Sequence, residues 1–292
     1  MRGETVFITG TSSGIGLLTA LELAKRGYTV IAAMRSLERG AELRRLSRTF
    51  GLDEKMIFFE LDVASSESLN RFTEQVQTLP PIDILINNAG FAYGGFCEET
   101  SIQEYKEQFE TNLFGVIGVT QAVLPSMRNR RRGRIINMSS ISGRTGFPGL
   151  SPYAASKHAL EGWTECLRLE VKPFGIDIAL VEPGSFKTSI WDSGKKIAEK
   201  SKLNSSPYKF YMEALETHLM KSKDNYGNPI AVASFLADLC MKKKINKLRY
   251  PIGKGVKTAV SLKYTLPWKW WENIIFASLN LKESLLKGSG NR

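Results

Sequence analysis

The feature that most constrains this chain is an alternation of short apolar runs with amphipathic stretches, opened by a glycine-rich turn. Residues 5–9 (TVFIT) form a buried strand that runs into Thr9-Gly10-Thr11-Ser12-Ser13-Gly14-Ile15-Gly16. Apolar residues at helical spacing follow over 15–26, stopped by Gly27. Further strands are expected at 29–34, 56–61, 83–86, 134–138 and 176–181, with helices at 37–50, 67–77, 102–128 and 153–171 between them. Nearly continuous apolar strands alternating with helices imply an α/β fold, a doubly wound parallel sheet of Rossmann type. Both its faces are covered, and its crossovers are right-handed. After Pro183 the rhythm breaks: residues 185–227 carry many lysines and few strand signals, and read as a helical lid. A helix at 229–240 and a short strand at 249–253 complete a single domain over 1–258, followed by an aromatic and basic extension at 259–292.

Composition narrows the partners. A chain of 292 residues that is 42% hydrophobic has enough apolar material for a real core. The net charge of +11 reads as a solvated basic surface; fifteen Lys and Arg face five Asp and Glu between Lys195 and Lys263. No nucleic-acid recognition motif accompanies this charge, so nucleic acid is not expected as a partner. Cys97, Cys166 and Cys240 are far apart and odd in number, which fits reduced thiols in a cytoplasm. His158 and His218 lack ligand spacing, so no metal is expected. The chain enters its first strand without a signal segment and has no run of about 18 apolar residues, the length a spanning helix needs.

The turn after the first strand suits a pyrophosphate. Glycines there allow close backbone approach, and the next helix aims its N-terminal amides at the anion. The strand–turn–helix context is what the motif requires. A dinucleotide is therefore expected against Gly10, Ser12, Ser13, Gly14, Ile15 and Gly16. The second strand ends in Met34-Arg35 where an NAD site usually carries an acid; Arg35, with the Ser12 hydroxyl, fits a ribose 2′-phosphate and points to NADP(H). Asp62 and Val63 after the third strand suit the adenine, and Asn88-Ala89-Gly90 after the fourth suits the opposite side of the cofactor.

Tyr153-Ala154-Ala155-Ser156-Lys157 places a phenol and an ammonium four residues apart on one helix face. A cation beside the phenol is expected to lower its pKa from about 10, making Tyr153 a usable general acid or base. Ser140, at the end of the fifth strand, supplies a hydroxyl for a substrate oxygen.

With these pieces in this order, the chain resembles the short-chain dehydrogenase/reductase family in its classical branch. TGTSSGIG at 9–16, NNAG at 87–90, Asn112, the serine pair at 139–140, YAASK at 153–157 and PG at 183–184 carry the resemblance, which covers residues 5 to about 188. It implies a seven-stranded sheet and a catalytic tetrad of Asn112, Ser140, Tyr153 and Lys157. Ser140 would polarise the carbonyl and Tyr153 transfer the proton; Lys157 would also bond the nicotinamide ribose, and Asn112 would support a water relay. It further implies cofactor contacts from Tyr153, Lys157, Pro183, Gly184, Phe186 and Thr188, and a homodimer or homotetramer formed through the helices at 102–128 and 153–171. TSSGIG, the AMRSL segment, GFPGLSPYAASKHALEG and RYPIG look most like the 17β-hydroxysteroid and retinol dehydrogenase branch.

The expected substrate is a small hydrophobic alcohol or ketone, steroid-, retinoid- or fatty-like, in a pocket of Phe91, Tyr93, Phe147, Phe186, Trp191, Phe210 and Tyr211. Two alternatives carry less weight. A sugar-nucleotide epimerase or dehydratase usually shows G-x-x-G-x-x-G, whereas this turn is G-x-x-x-G-x-G. A non-catalytic redox sensor has no need of Ser140 and Tyr153 together. The segment WKWWENIIFASLNL reads as a helix packing on the substrate pocket or a neighbouring subunit, ahead of a peripheral membrane contact, because its apolar stretch is short.

Overall fold

Successive residues of β1 (Thr5–Thr9) point to opposite faces of the sheet, and the two resulting sets define two cores. The computed structural model describes residues 3–188 and 195–279. Val6 and Ile8 pack with Leu17 and Leu21 of α1 (Gly14–Lys25), Leu43 of α2 (Ala41–Thr49) and Leu236 of α8 (Pro229–Met241). Phe7, one residue along, joins the opposite core with Phe72 of α3 (Ser66–Gln75), Val119 and Val123 of α5 (Gly115–Asn129) and Leu167 of α6 (Ser151–Val171). The Phe7 and Phe72 rings lie 4.9 Å apart and both side chains are fully buried. Truncating such a ring costs about 3–5 kcal/mol.

The sheet is seven-stranded and parallel. Besides β1 it contains β2 (Thr29–Met34), β3 (Met56–Glu60), β4 (Ile82–Asn87), β6 (Gly133–Met138), β7 (Ile176–Pro183) and β9 (Arg249–Ile252), in the order β3-β2-β1-β4-β6-β7-β9. Phe7 pairs with Ile31 on one side and Leu85 on the other. The order reverses direction between β1 and β4, and in open α/β sheets the crevice at such a point takes the ligand.

The long helix expected at 102–128 is present and unbroken, but not uniform. It comprises α4 (Ile102–Phe109), a π-helical turn over Glu110–Phe114, and α5. The wide turn accommodates Asn112, whose amide is drawn to the backbone of Phe91. The lid is not purely helical either. β5 (Ala92–Gly94) pairs in parallel with β8 (Lys195–Ile197), joining the lid to the segment after β4, before α7 (Lys209–Ser222). Three-residue strands are too short for a period-2 signal. Beyond β9 come α9 (Val256–Thr265) and α10 (Trp268–Ser278); the boundary placed at 258 falls within α9.

Candidate active site

The glycine-rich turn is built by contacts that side chains would block. Gly10 has φ +71°, and a Cβ there would stand 2.8 Å from the Ala89 Cα; a Cβ on Gly16 would stand 2.2 Å from the Gly10 carbonyl oxygen. Asn88 locks the turn from β4: its Nδ2 donates to the carbonyls of Thr9 at 2.9 Å and Gly10 at 3.1 Å. Thr9 Oγ1 accepts from the amides of Asn88 and Ala89, both at 3.0 Å. Gly14 (φ +57°) opens α1, with half-buried Ser12 and Ile15 and exposed Ser13 around its N-terminus. This cradle, open where a Cβ would close it, fits a pyrophosphate at the helix N-terminus.

The other cofactor candidates ring the same end of the sheet. Arg35 is exposed directly after β2. Asp62 is half-buried, and its Oδ1 accepts from the Ala64 amide at 3.0 Å. Val63 is buried against Gly115. Gly184 follows β7 and donates its amide to the Ile252 carbonyl at 2.9 Å. Phe186 is buried and bridges to Gly227. Pro183, Gly184, Phe186 and Thr188 line one cleft of about 650 Å³ with Ile15, Asn88, Gly90, Ser140, Tyr153 and Lys157.

Within that cleft Tyr153 and Lys157 lie on the inner face of α6, both buried. Ser140 Oγ accepts from the Ser142 amide at 3.1 Å, which leaves its own proton to donate. Lys157 Nζ donates to the Met138 carbonyl at 2.7 Å and stands 5.9 Å from the Tyr153 ring centroid. Burial brings the Lys157 ammonium down to about 8, while the Glu161 carboxylate pulls it upward. The expectation that Lys157 lowers the Tyr153 pKa is corrected. Burial holds the phenol above its ordinary value, and the lowering influence comes from a hydrogen bond with Ser140.

Asn112 is fully buried. Its Oδ1 accepts from the Phe91 amide at 3.2 Å, and its Nδ2 donates to the Phe91 carbonyl at 3.1 Å and Ser156 Oγ at 3.3 Å. The amide thus holds the chain leaving β4 against α6. Gln108 was not foreseen and does the same work one turn earlier, donating to the Phe91 carbonyl at 2.9 Å and accepting from the Tyr93 amide at 2.7 Å.

A second cavity, of about 1020 Å³, adjoins the first through Ser140 and Gly184 and is lined by Phe147, Leu215, Leu219, Ile275 and Leu279 among others. The aromatic pocket is therefore only partly as foreseen. Phe91 and Phe186 line the first cavity and Phe147 the second. Tyr93 is buried behind Phe91, with ring centroids 5.8 Å apart. Tyr211 packs on Phe96 instead, and Phe210 is exposed, because α7 turns its Met212–Leu215–Leu219 face to the cavity. Trp191 lies outside the described residues. The helix foreseen over the aromatic C-terminal segment does pack on the pocket, through Ile275 and Leu279. Among the described residues no cluster of His, Cys, Asp or Glu could hold a metal, and no helix is long and apolar enough to cross a membrane.

Known proteins share this architecture. Residues 4–198 match the family described as short chain dehydrogenase. The uncharacterized oxidoreductase YusZ of Bacillus subtilis is 45% identical over 275 residues, 94% of this chain and 98% of that protein. A 3-ketodihydrosphingosine reductase of Bacteroides thetaiotaomicron is 36% identical over 244 residues, 83% of this chain and 86% of that protein. Human retinol dehydrogenase 8 is 40% identical over 201 residues, but covers only 68% of this chain and 63% of its own length. YusZ thus matches more of the chain, at higher identity, than this retinol dehydrogenase. Among solved structures, a short-chain dehydrogenase from Streptomyces avermitilis superposes with TM-score 0.78 at 29% identity, covering 99% of this chain and all of that one. ElxO with NADP bound gives TM-score 0.72 at 27% identity, covering 88% of this chain and all of that one. Fold, cleft and sequence agree: the chain belongs to the short-chain dehydrogenase/reductase family and is an NAD(P)-dependent oxidoreductase.

Proposed function

We propose that this oxidoreductase uses NADP(H) and interconverts a hydrophobic alcohol and its ketone, with Tyr153 moving the proton. The observation that carries this reading is the convergence of Ser140, Tyr153 and Lys157 in one cleft with the glycine cradle. The nicotinamide, when bound, supplies or accepts the hydride. Ser140 Oγ donates to the substrate oxygen, its acceptor side held by the Ser142 amide. In reduction the Tyr153 hydroxyl gives its proton to that oxygen; in oxidation it takes the proton back. Lys157 holds a positive charge beneath the phenol and bonds the ribose, and Asn112 positions the backbone of Phe91 across from it. The contacts assigned to Gly10, Ser12, Ser13, Gly14, Ile15, Gly16, Asp62, Val63, Asn88, Ala89, Gly90, Pro183, Gly184, Phe186 and Thr188 belong to the same proposal.

Arg35 supports NADP(H), as does the NADP bound to ElxO. The apolar second cavity supports a steroid-, retinoid- or fatty-like substrate, as do relatives whose names specify a ketodihydrosphingosine and a retinol. The branch reading, near 17β-hydroxysteroid and retinol dehydrogenases, rests on the same cavity and on RYPIG. A domain of 1–258 with an appended C-terminal segment remains part of the proposal. Exposed free thiols at Cys97 and Cys166 support a cytoplasmic setting. Exposed Ile102, Phe114 and Leu169 on the α4–α5 and α6 helices support a homodimer or homotetramer, which light scattering tests. Turnover of NADPH with a panel of apolar ketones tests the function. Tyr153→Phe should lose at least about 10²-fold in kcat, the low end for general acid–base catalysis. Near wild-type turnover in that variant would overturn the mechanism.

A further inference from the structure

Helix α10 has two apolar faces, and only one is covered. Trp271 and Leu279 are buried, and Ile275 and Leu279 wall the second cavity. The outer face is open: Trp270 is 63% exposed and Ile274 43%. Across Pro267, Trp268 at 60%, Tyr264 at 58% and Leu262 are also exposed, the Tyr264 hydroxyl being held by Arg144. That gathers five large exposed apolar side chains into one short stretch of α9 and α10. Singly such residues are ordinary, but this many in so short a stretch, with Lys263 between Tyr264 and Trp268, mark an interaction site.

Lysines are interleaved with this surface. Lys257 and Lys269 are exposed, and Lys263 Nζ stands 4.8 Å from the Tyr264 ring centroid and 5.8 Å from that of Trp268. Between Lys254 and Leu279 four lysines stand against one carboxylate, Glu272. This charge selects the occupant. Two copies of the same lysine-rich face repel each other, while anionic headgroups attract it. Tryptophan and tyrosine suit the headgroup level, where an amphipathic ring has both an apolar and a wet side.

We propose that the α9–α10 surface docks on an anionic lipid bilayer, with Trp268 and Trp270 at the headgroup level and the lysines on lipid phosphates. Docking would lay α10 flat on the bilayer while its inner face walls the cavity. If the proposed hydrophobic substrate is correct, that substrate then passes from lipid to cavity along one helix. The docking itself stands without that reading.

Co-sedimentation of the full chain with phosphatidylcholine vesicles, with and without phosphatidylglycerol, tests the proposal without any turnover. Failure of the oxidoreductase reading therefore leaves it untouched. Binding is expected with phosphatidylglycerol, accompanied by a blue shift of tryptophan emission and weakened by salt as the screening length falls to about 3 Å at 1 M. Lys257→Gln with Lys269→Gln should weaken partition about 30-fold, roughly fivefold per lysine. Trp268→Ala with Trp270→Ala should abolish the blue shift and weaken binding at least about tenfold, with an unchanged melting curve because both rings are exposed. Absence of wild-type binding, or equal binding to both vesicles, would overturn the proposal. So would a fall in light-scattering mass on the tryptophan substitutions, which would make the face a contact between copies of the chain.

Discussion

Glu161 stands one helical turn beyond Lys157 on the inner face of α6, and its Oε2 accepts from Arg249 Nε of β9 at 2.9 Å. Arg249 Nε also lies 3.4 Å from Glu182, which pairs with Arg144 at 3.1 Å, and Arg144 Nε donates to the Tyr264 hydroxyl at 3.1 Å. A chain of alternating charges therefore runs from the edge of the sheet and α9 to the ammonium in the cleft. The carboxylate is the charge that pulls Lys157 upward against burial.

Glu161→Gln should let burial act alone and carry the Lys157 pKa further below about 8. The fraction of ammonium at a given alkaline pH then falls. The alkaline limb of kcat/KM for ketone reduction should move to lower pH, with Glu161→Asp restoring it. An unmoved limb would show that the carboxylate does not act on Lys157.

The stability effect of Lys157 has a definite sign. Its folded-state pKa of about 8 lies below the ordinary 10.5, so the unfolded chain binds more protons between these values and stability rises with pH there. The buried ammonium is destabilising in full below about pH 8, and the effect is gone above about 10.5. Lys157→Met should stabilise the protein without dinucleotide at pH 7 by on the order of 2 kcal/mol, the lost bond to Met138 set against the relief. Urea melts at pH 7 and pH 10.5 check this; the gain should vanish at the higher pH.

Gly16→Ala places a Cβ 2.2 Å from the Gly10 carbonyl oxygen and 2.5 Å from Asn88 Nδ2. The backbone must move, at a cost of about 1–3 kcal/mol. NADPH affinity, read by fluorescence titration, should fall at least about tenfold, or 1.4 kcal/mol. Gly162→Ala is the control. It lies on α6 with nothing within 4 Å of the added Cβ, so it should gain about 0.5–1 kcal/mol and leave the affinity alone.

Arg35→Ala should lower kcat/KM with NADPH and change it little with NADH. The side chain stands exposed at the end of β2, where no acid competes for a ribose. A wild-type preference for NADH would remove the assignment to NADP(H).

Much of this architecture is written in local pattern. The apolar runs at residues 5–9 and 29–34 and the glycines of the turn name their own structures, because a buried parallel strand and a close backbone approach restrict residue type directly. The Tyr153–Lys157 face is equally plain from the four-residue spacing. What depends on distant partners is not legible. Gln108 and Glu161 look like ordinary helix residues until Phe91 and Arg249 are brought against them. The second cavity is walled by Leu215 and Ile275 and not by the expected Tyr211 and Phe210, because the rotation of α7 and the docking of α10 are tertiary decisions. The phenol's environment likewise does not follow from spacing, which gives a neighbour but not the burial that opposes it.

The π-helical turn at Glu110–Phe114 sets the phase of the helix that carries it. It holds one residue more than an α turn, and one residue is about 100° of helix rotation. The wide turn absorbs that extra residue, so α4 and α5 keep the phase of one helix; a residue deleted from a regular turn of α5 has no such absorber and would swing α4 by that angle relative to the rest of α5. Gln108 would leave Phe91, and Glu104, whose Oε1 accepts from the Glu199 amide at 3.0 Å, would release the lid just beyond β8. The segment after β4 that lines the first cleft and the lid beyond β8 thus share one angular setting. A one-residue change in length within the regular turns of this helix therefore misaligns both together.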